Sequence, residues 1–254
     1  MSDGCPERIP GSQSAGLVLI CDHASNHVPQ DLDGLGLDPP TLNQHIAIDV
    51  GAAPLTRRLA QDLGAPAVLS TTSRLVIDFN RHPGSENSIP KISHGVAILG
   101  NVGIDPSEAA RRRKVYFQPY HDQISETLKW LEASRTPASI ISIHSFTPYL
   151  DEDRPWHVGV LWDQDKRLAN PILAALYEKE DLVVGANQPY SGHSPLGFSC
   201  QTHGDAKCRP NVIFEVRQDL IETAQGVAAM GNLLCQVITD VTQSIQRQGN
   251  YDSD

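Results

Sequence analysis

Two histidines stand at the ends of short apolar runs of the kind that form buried strands: His23 after Leu17 to Cys21 in LVLICDH, and His144 after Ile140 to Ile143 in SIHSFTP. A neutral imidazole at a strand end can ligate a metal, and two on neighbouring strands begin an open tetrahedral zinc site. Each taken singly is equally compatible with a hydrogen-bonded structural residue. Glu215 lies inside the β-rich run VIFEVRQD, with Arg217 two residues on and hence on the same face of a strand. Desolvation there raises a carboxylate pKa toward the range useful for general acid–base work; the alternative is a structural ion pair with Arg217. In SRLVIDFNRHPGS, Arg74, Asp78, Asn80 and Arg81 surround an apolar run that ends in a His-Pro-Gly turn. A planar guanidinium beside a carboxamide suits a substrate carboxylate, although a solvated turn with a surface ion pair explains the same residues. NQPYSGH, with Asn187, Tyr190 and His193, reads as an irregular loop able to close over a ligand or as an ordinary turn, and His203 in QTHGD is a weaker candidate.

These groups need a scaffold. Apolar runs at Leu17 to Cys21, Ala67 to Ser70, Leu75 to Phe79, Ile140 to Ile143, Val158 to Leu161 and Val212 to Val216 read as buried strands, with a shorter one at LVV before the NQPYSGH loop. Helical periodicity fills about Leu42 to Leu63, Pro106 to Ala133, Lys166 to Glu178 and Ile221 to Gln248. The alternation predicts an α/β fold: a single three-layer domain over residues 1–254, with a mostly parallel mixed sheet and helices on both faces. Polar residues just past the carboxyl ends of such strands gather in one crevice, where ligands bind. The ends, about 1–10 and 249–254, are expected to be frayed.

The net charge of −10 and the absence of a basic run argue against nucleic acid or anionic lipid as partners. No apolar stretch reaches membrane-spanning length and the first residues resemble no leader peptide, so a cytoplasmic protein is expected. The five cysteines, including Cys200 and Cys208, form no CxxC pair and read as free thiols. No G-x-S-x-G elbow supports a serine hydrolase, and nothing specifies an oligomer.

SIHSFTP, FEVRQD and the intervening FNR resemble the active-site segments of zinc carboxypeptidases, in the same order. The resemblance implies His23 and His144 as zinc ligands, Asn80 and Arg81 as binders of the substrate carboxylate, and Glu215 as the base for the attacking water. A closer similarity is to the N-formylglutamate amidohydrolases, through DHASNHVP, IDVGAAPLTRRLAQDLGAP, SRLVIDFNR, IHSFTP, NQPYSG and FEVRQDL, from about residue 17 to 221. It implies a zinc carboxypeptidase-like (phosphorylase/hydrolase-like) fold and one Zn2+ per chain. The implied reaction is hydrolysis of a small-molecule N-acyl amino acid, N-formyl-L-glutamate giving formate and L-glutamate, with Arg74 or Arg217 at the oxyanion. The sequence departs from the carboxypeptidase HxxE pair, since Asn26 follows His23 by three. Asp49, near the start of the first long helix, is the expected third ligand, or else a helix-dipole stabiliser. Asp22, Asp78 and His45 remain as ligands or as partners of the ligating imidazoles. The rival functions are another N-acyl amino acid amidohydrolase, a small carboxypeptidase, or a metal-free binding module.

Overall fold

The computed structural model describes residues 4–133, 138–150, 152–192 and 197–249; His193 lies outside them, as do residues 250–254 of the expected frayed end. One sheet holds β1 (Glu7–Ile9), β2 (Leu17–Cys21), β3 (Ala67–Leu69), β4 (Ser139–Phe146), β5 (Val158–Leu161), β6 (Val184–Ala186) and β7 (Asn211–Arg217). Their spatial order is β1-β3-β2-β4-β7-β5-β6. Strands β3, β2, β4 and β7 are parallel, β1 is antiparallel to β3, and the parallel pair β5 and β6 runs antiparallel to β7. The helices that matter below are α1 (Ala52–Leu63), α2 (Pro106–Arg112), α3 (Gln118–Glu132), α4 (Ala169–Tyr177), α5 (Phe198–His203) and α6 (Ala224–Gly249).

All of β2 is buried, because its side chains are apolar toward both faces. Leu17, Leu19 and Cys21 join the core formed with α1, α4 and α6, whereas Val18 and Ile20 join the opposite core with Tyr120, Ile124, Leu128 and Leu131 of α3. Each large aliphatic side chain so buried contributes about 1.5–3 kcal/mol, which makes this alternation the main force setting the sheet between two helical layers. A mostly parallel mixed sheet in one α/β domain is the architecture expected from the sequence.

Three local expectations are corrected. The run Leu75 to Phe79 is buried but is not a strand. The outer edge of β3 is already taken by β1, and the run's polar groups are met otherwise: Asn101 Nδ2 donates to Leu75 O (2.8 Å), Arg112 Nη1 to Val76 O (3.2 Å), and Asp78 N to Ser88 O (2.7 Å). The first long helix begins at Ala52 instead of Leu42, with Gly51 before it at φ +81°. Between Leu42 and Ala52 the described chain is not helical, the short helix Pro39–Leu42 having ended, so Asp49 sits in irregular chain. Finally, Glu7–Ile9 forms an edge strand within the segment expected to fray. No helix among the described residues is long and apolar enough to cross a membrane.

Candidate active site

The crevice lies at the carboxyl ends of β2, β4 and β7. Register fixes its floor: His144 of β4 pairs with Glu215 of β7, and Ser142 pairs with Ile20 of β2 and Ile213 of β7. Side-chain alternation then puts His144 and Glu215 on one face, together with Asp22 where β2 ends. Gly159 of β5 pairs with Glu215 from the other side; a Cβ there would fall 1.9 Å from the Gln188 carbonyl oxygen, so the loop after β6 can close against this edge only over glycine.

Both histidines converge from separate strands. Their ring centroids are 5.0 Å apart, and their Nδ1 atoms lie 3.2 Å (His23) and 2.8 Å (His144) from the same oxygen, Asp49 Oδ2. The candidate ligand atoms of His23, Asp49 and His144 all lie within 4.8 Å of one another, and all three residues are buried. Each imidazole uses its remaining nitrogen on a carboxylate, His23 Nε2 with Asp78 Oδ1 (2.8 Å) and His144 Nε2 with Asp22 Oδ2 (3.1 Å). Asp22 also accepts from Tyr120 Oη (2.9 Å) and Ser199 Oγ, and Arg74 donates to both Asp78 (2.8 Å) and Asp49 (3.3 Å). Thus three buried carboxylates face one guanidinium and two imidazoles whose pKa they raise against burial; with the imidazoles neutral, as metal ligands must be, two negative charges are left over, which a divalent cation would balance. The Nδ1 atoms face inward and the carboxylates orient the rings from behind, as ligating imidazoles require. The residues therefore fit a metal.

The electrostatics follow from this packing. Burial would raise the pKa of Asp22, but the hydrogen bond and charge of His144, with the charge of His23, hold it down at about 2. Asp49 is likewise held well below the carboxylate range against its burial, chiefly by His23 and His144. Glu215 goes the other way. Burial raises its carboxyl to about 7, against the lowering effect of His144, and Oε2 is buried without a hydrogen-bond partner.

Not every candidate joins the cluster. Asn26 donates to Asn43 Oδ1 (2.7 Å) at the surface, away from the imidazoles. Arg217 is held by Asp219 (2.8 Å) and the Pro155 carbonyl (3.2 Å) rather than by Glu215. Asn80 accepts from Ser199 N (3.1 Å) and donates its own N–H to Asp78 (2.9 Å), while the charge of half-buried Arg81 is felt at Asp78. The Asn187 carboxamide accepts from Trp162 N (3.0 Å), and Tyr190 meets Arg154 (3.0 Å). His203 pairs with His121 (3.0 Å), and Cys200 and Cys208 are free thiols. His45 is half-buried with Nε2 unpartnered. Arg154, in the charged segment DEDRPWH, is not among the candidates read from the sequence.

The model of the N-formylglutamate amidohydrolase family matches residues 15–222. The chain belongs to the N-formylglutamate amidohydrolase family. The match contains every member of the cluster just described. Among solved structures, a gene product of Agrobacterium tumefaciens superposes with a TM-score of 0.88 at 32% identity, over 95% of this chain and 96% of that one. An N-formylglutamate amidohydrolase from Ralstonia eutropha superposes with a TM-score of 0.67 at 18% identity, over 96% and 99%, which extends the likeness in fold. No curated protein matches the chain.

Proposed function

We propose that this member of the amidohydrolase family is a zinc-dependent hydrolase of N-acyl amino acids, with N-formyl-L-glutamate as its substrate and formate and L-glutamate as products. The observation that carries the reading is the convergence of His23, Asp49 and His144 beside Glu215, whose inner oxygen has no partner. Two imidazoles and one carboxylate suit zinc, with a position left open, as in zinc carboxypeptidases. When bound, the metal supplies Lewis-acid polarisation of the scissile carbonyl and a lower pKa for the attacking water. Glu215 takes that water's proton on Oε2 and returns it to the leaving amine, a role suited to a carboxyl near 7. Asp22 and Asp78 hold the two imidazoles in the tautomer that leaves Nδ1 bare.

Of the two arginines considered for the oxyanion, Arg74 lies in the cluster and Arg217 is engaged by Asp219, so we assign that charge to Arg74. Asn80 Nδ2 and Arg81, on the Asp78 flank, take the α-carboxylate; Asn187 shapes the loop that carries Tyr190. The five free thiols support a cytoplasmic location, and the charge of −10 supports a small-molecule partner over nucleic acid. A metal-free binding module would suit a site left without an acidic ligand by the absent HxxE glutamate; Asp49, within reach of both imidazoles, supplies that acid. Protein purified without chelators should carry one zinc per chain and release formate from N-formyl-L-glutamate; metal-free protein, or activity that survives complete chelation, overturns the proposal.

A further inference from the structure

Two arginines are buried among the described residues, and they are treated differently. Arg112 has Glu108 (2.8 Å) and the Asn101 carboxamide (2.6 Å). Arg154 is 9% exposed and pairs with no acid among the described residues. Its Nη1 donates to Tyr190 Oη (3.0 Å) and its guanidinium carbon stands 5.0 Å from the Tyr190 ring centroid. A cation over an aromatic face and one neutral hydrogen bond leave the charge of this largely buried guanidinium unpaired, and no acid among the described residues takes its remaining N–H groups. A largely buried guanidinium with no anion beside it is what a carboxylate-recognition site looks like before the carboxylate arrives.

Its position says which carboxylate. Arg154 sits four residues before β5, at the end of the sheet where β7 finishes, and β5 flanks Glu215 through Gly159. Tyr190, beneath it, feels the charges of both Glu215 and Asp49. Arg81 lies near Asp78, next to Asn80, which meets Ser199 of α5. The imidazole cluster therefore has two guanidiniums near it besides Arg74: Arg81, whose charge reaches the Asp78 that holds His23, and Arg154, whose partner Tyr190 feels Glu215 and Asp49. Two such cations suit an N-acyl amino acid with two carboxylates.

We propose that Arg154, positioned by Tyr190, binds the side-chain carboxylate of an acidic N-acyl amino acid and thereby sets the substrate preference of the site. This rests on the hydrolase reading above. The test compares N-formyl-L-glutamate with N-formyl-L-glutamine, which differ only in the side-chain carboxylate, on zinc-loaded wild type, Arg154→Met and Arg154→Lys. Wild type should prefer the glutamate substrate by about 100-fold in kcat/KM, and Arg154→Met should collapse that ratio to within a few-fold, through KM, at unchanged zinc content. Arg154→Lys should restore part of it. Calorimetric binding of L-glutamate against L-glutamine reads the same selectivity without turnover, and it also decides the matter through Arg154→Lys if Arg154→Met fails to fold. A selectivity ratio that survives Arg154→Met, or a loss equal for both substrates, overturns the assignment. Turnover by a wild type with no preference sinks Arg154 and leaves the hydrolase standing. Arg154-dependent selective binding without formate release does the reverse.

Discussion

Glu215→Gln preserves the shape of the buried side chain and removes its ability to take a proton, so two effects of opposite sign should separate. Removing a general base costs about 10²–10⁴-fold in rate. Asp22, Asp49 and Asp78 are all committed to histidine or arginine partners, so no neighbouring carboxylate can substitute, and a fall in kcat of about 10³ is expected. Stability should move the other way in metal-stripped protein. A carboxyl carried from 4.5 to about 7 by burial disfavours its ionised form by about 3 kcal/mol. Because the folded-state pKa is raised, the stability contributed by protonated Glu215 is full below 4.5 and is lost as pH rises through about 7. At pH 8 the apo glutamine variant should thus exceed apo wild type by up to about 3 kcal/mol, with the gap closing toward pH 4.5. Urea denaturation across that range, beside formate release and zinc content for the loaded proteins, measures all three quantities. A kcat within tenfold of wild type refutes the catalytic role. Loss of zinc together with activity would make Glu215 a ligand instead, and a variant less stable than wild type at pH 8 would contradict the account of its burial.

Asp22→Asn should leave His23, Asp49 and His144 in place yet weaken zinc about 10–100-fold, because the amide no longer fixes the His144 tautomer; competition against a chelator of known affinity reads this, and unchanged affinity speaks against the orienting role. The His121–His203 pair makes a separate prediction. Burial pushes both imidazoles down to about 4, so their contribution to stability is full above the ordinary 6.5 and lost as pH falls toward 4. The stability advantage of wild type over His203→Gln should shrink by up to about 3 kcal/mol between pH 7.5 and 4.5, a difference that cancels the opposite titration of His23 and His144; a constant difference rules the account out.

Much of this site was legible because the strands are, although only His23 follows its strand; β4 runs on through His144 to Phe146. The bounds of β2 and β5 coincide with apolar runs visible in the sequence, and β2 and β4 deliver His23 and His144 where an alternating α/β pattern says ligands collect. Glu215 was readable for a related reason, as an acid in a run too apolar to solvate it. The misreadings share a cause. Periodicity reports that Leu75 to Phe79 is buried, but not that β1 already occupies the sheet edge, nor that Asn101 and Arg112 take the freed carbonyls. Arg154 is illegible for a similar reason, since nothing in its charged segment shows that the guanidinium will be largely buried over the Tyr190 ring.

Asp49 joins these two themes. A carboxylate three residues after a ligating histidine would be placed by its own local backbone. Asp49 is placed instead by the strands that hold its partners: its N–H donates to the His23 carbonyl (3.1 Å), Ser145 Oγ of β4 donates to the Val50 carbonyl (2.8 Å), and Ser73 Oγ to Ala47 (2.9 Å). Gly51 closes the segment at φ +81°, where a Cβ would stand 2.4 Å from the Ile221 carbonyl oxygen just beyond β7. The acid is therefore held in position by contacts to β2, β4 and the chain following β7, so the candidate metal site is completed by tertiary structure and not by a local motif. On the proposed reading, a cation bound there would stabilise that same assembly, so adding zinc to metal-stripped protein should raise its stability and slow exchange of the amides of residues 43–51; zinc that leaves both unchanged would count against the proposed site.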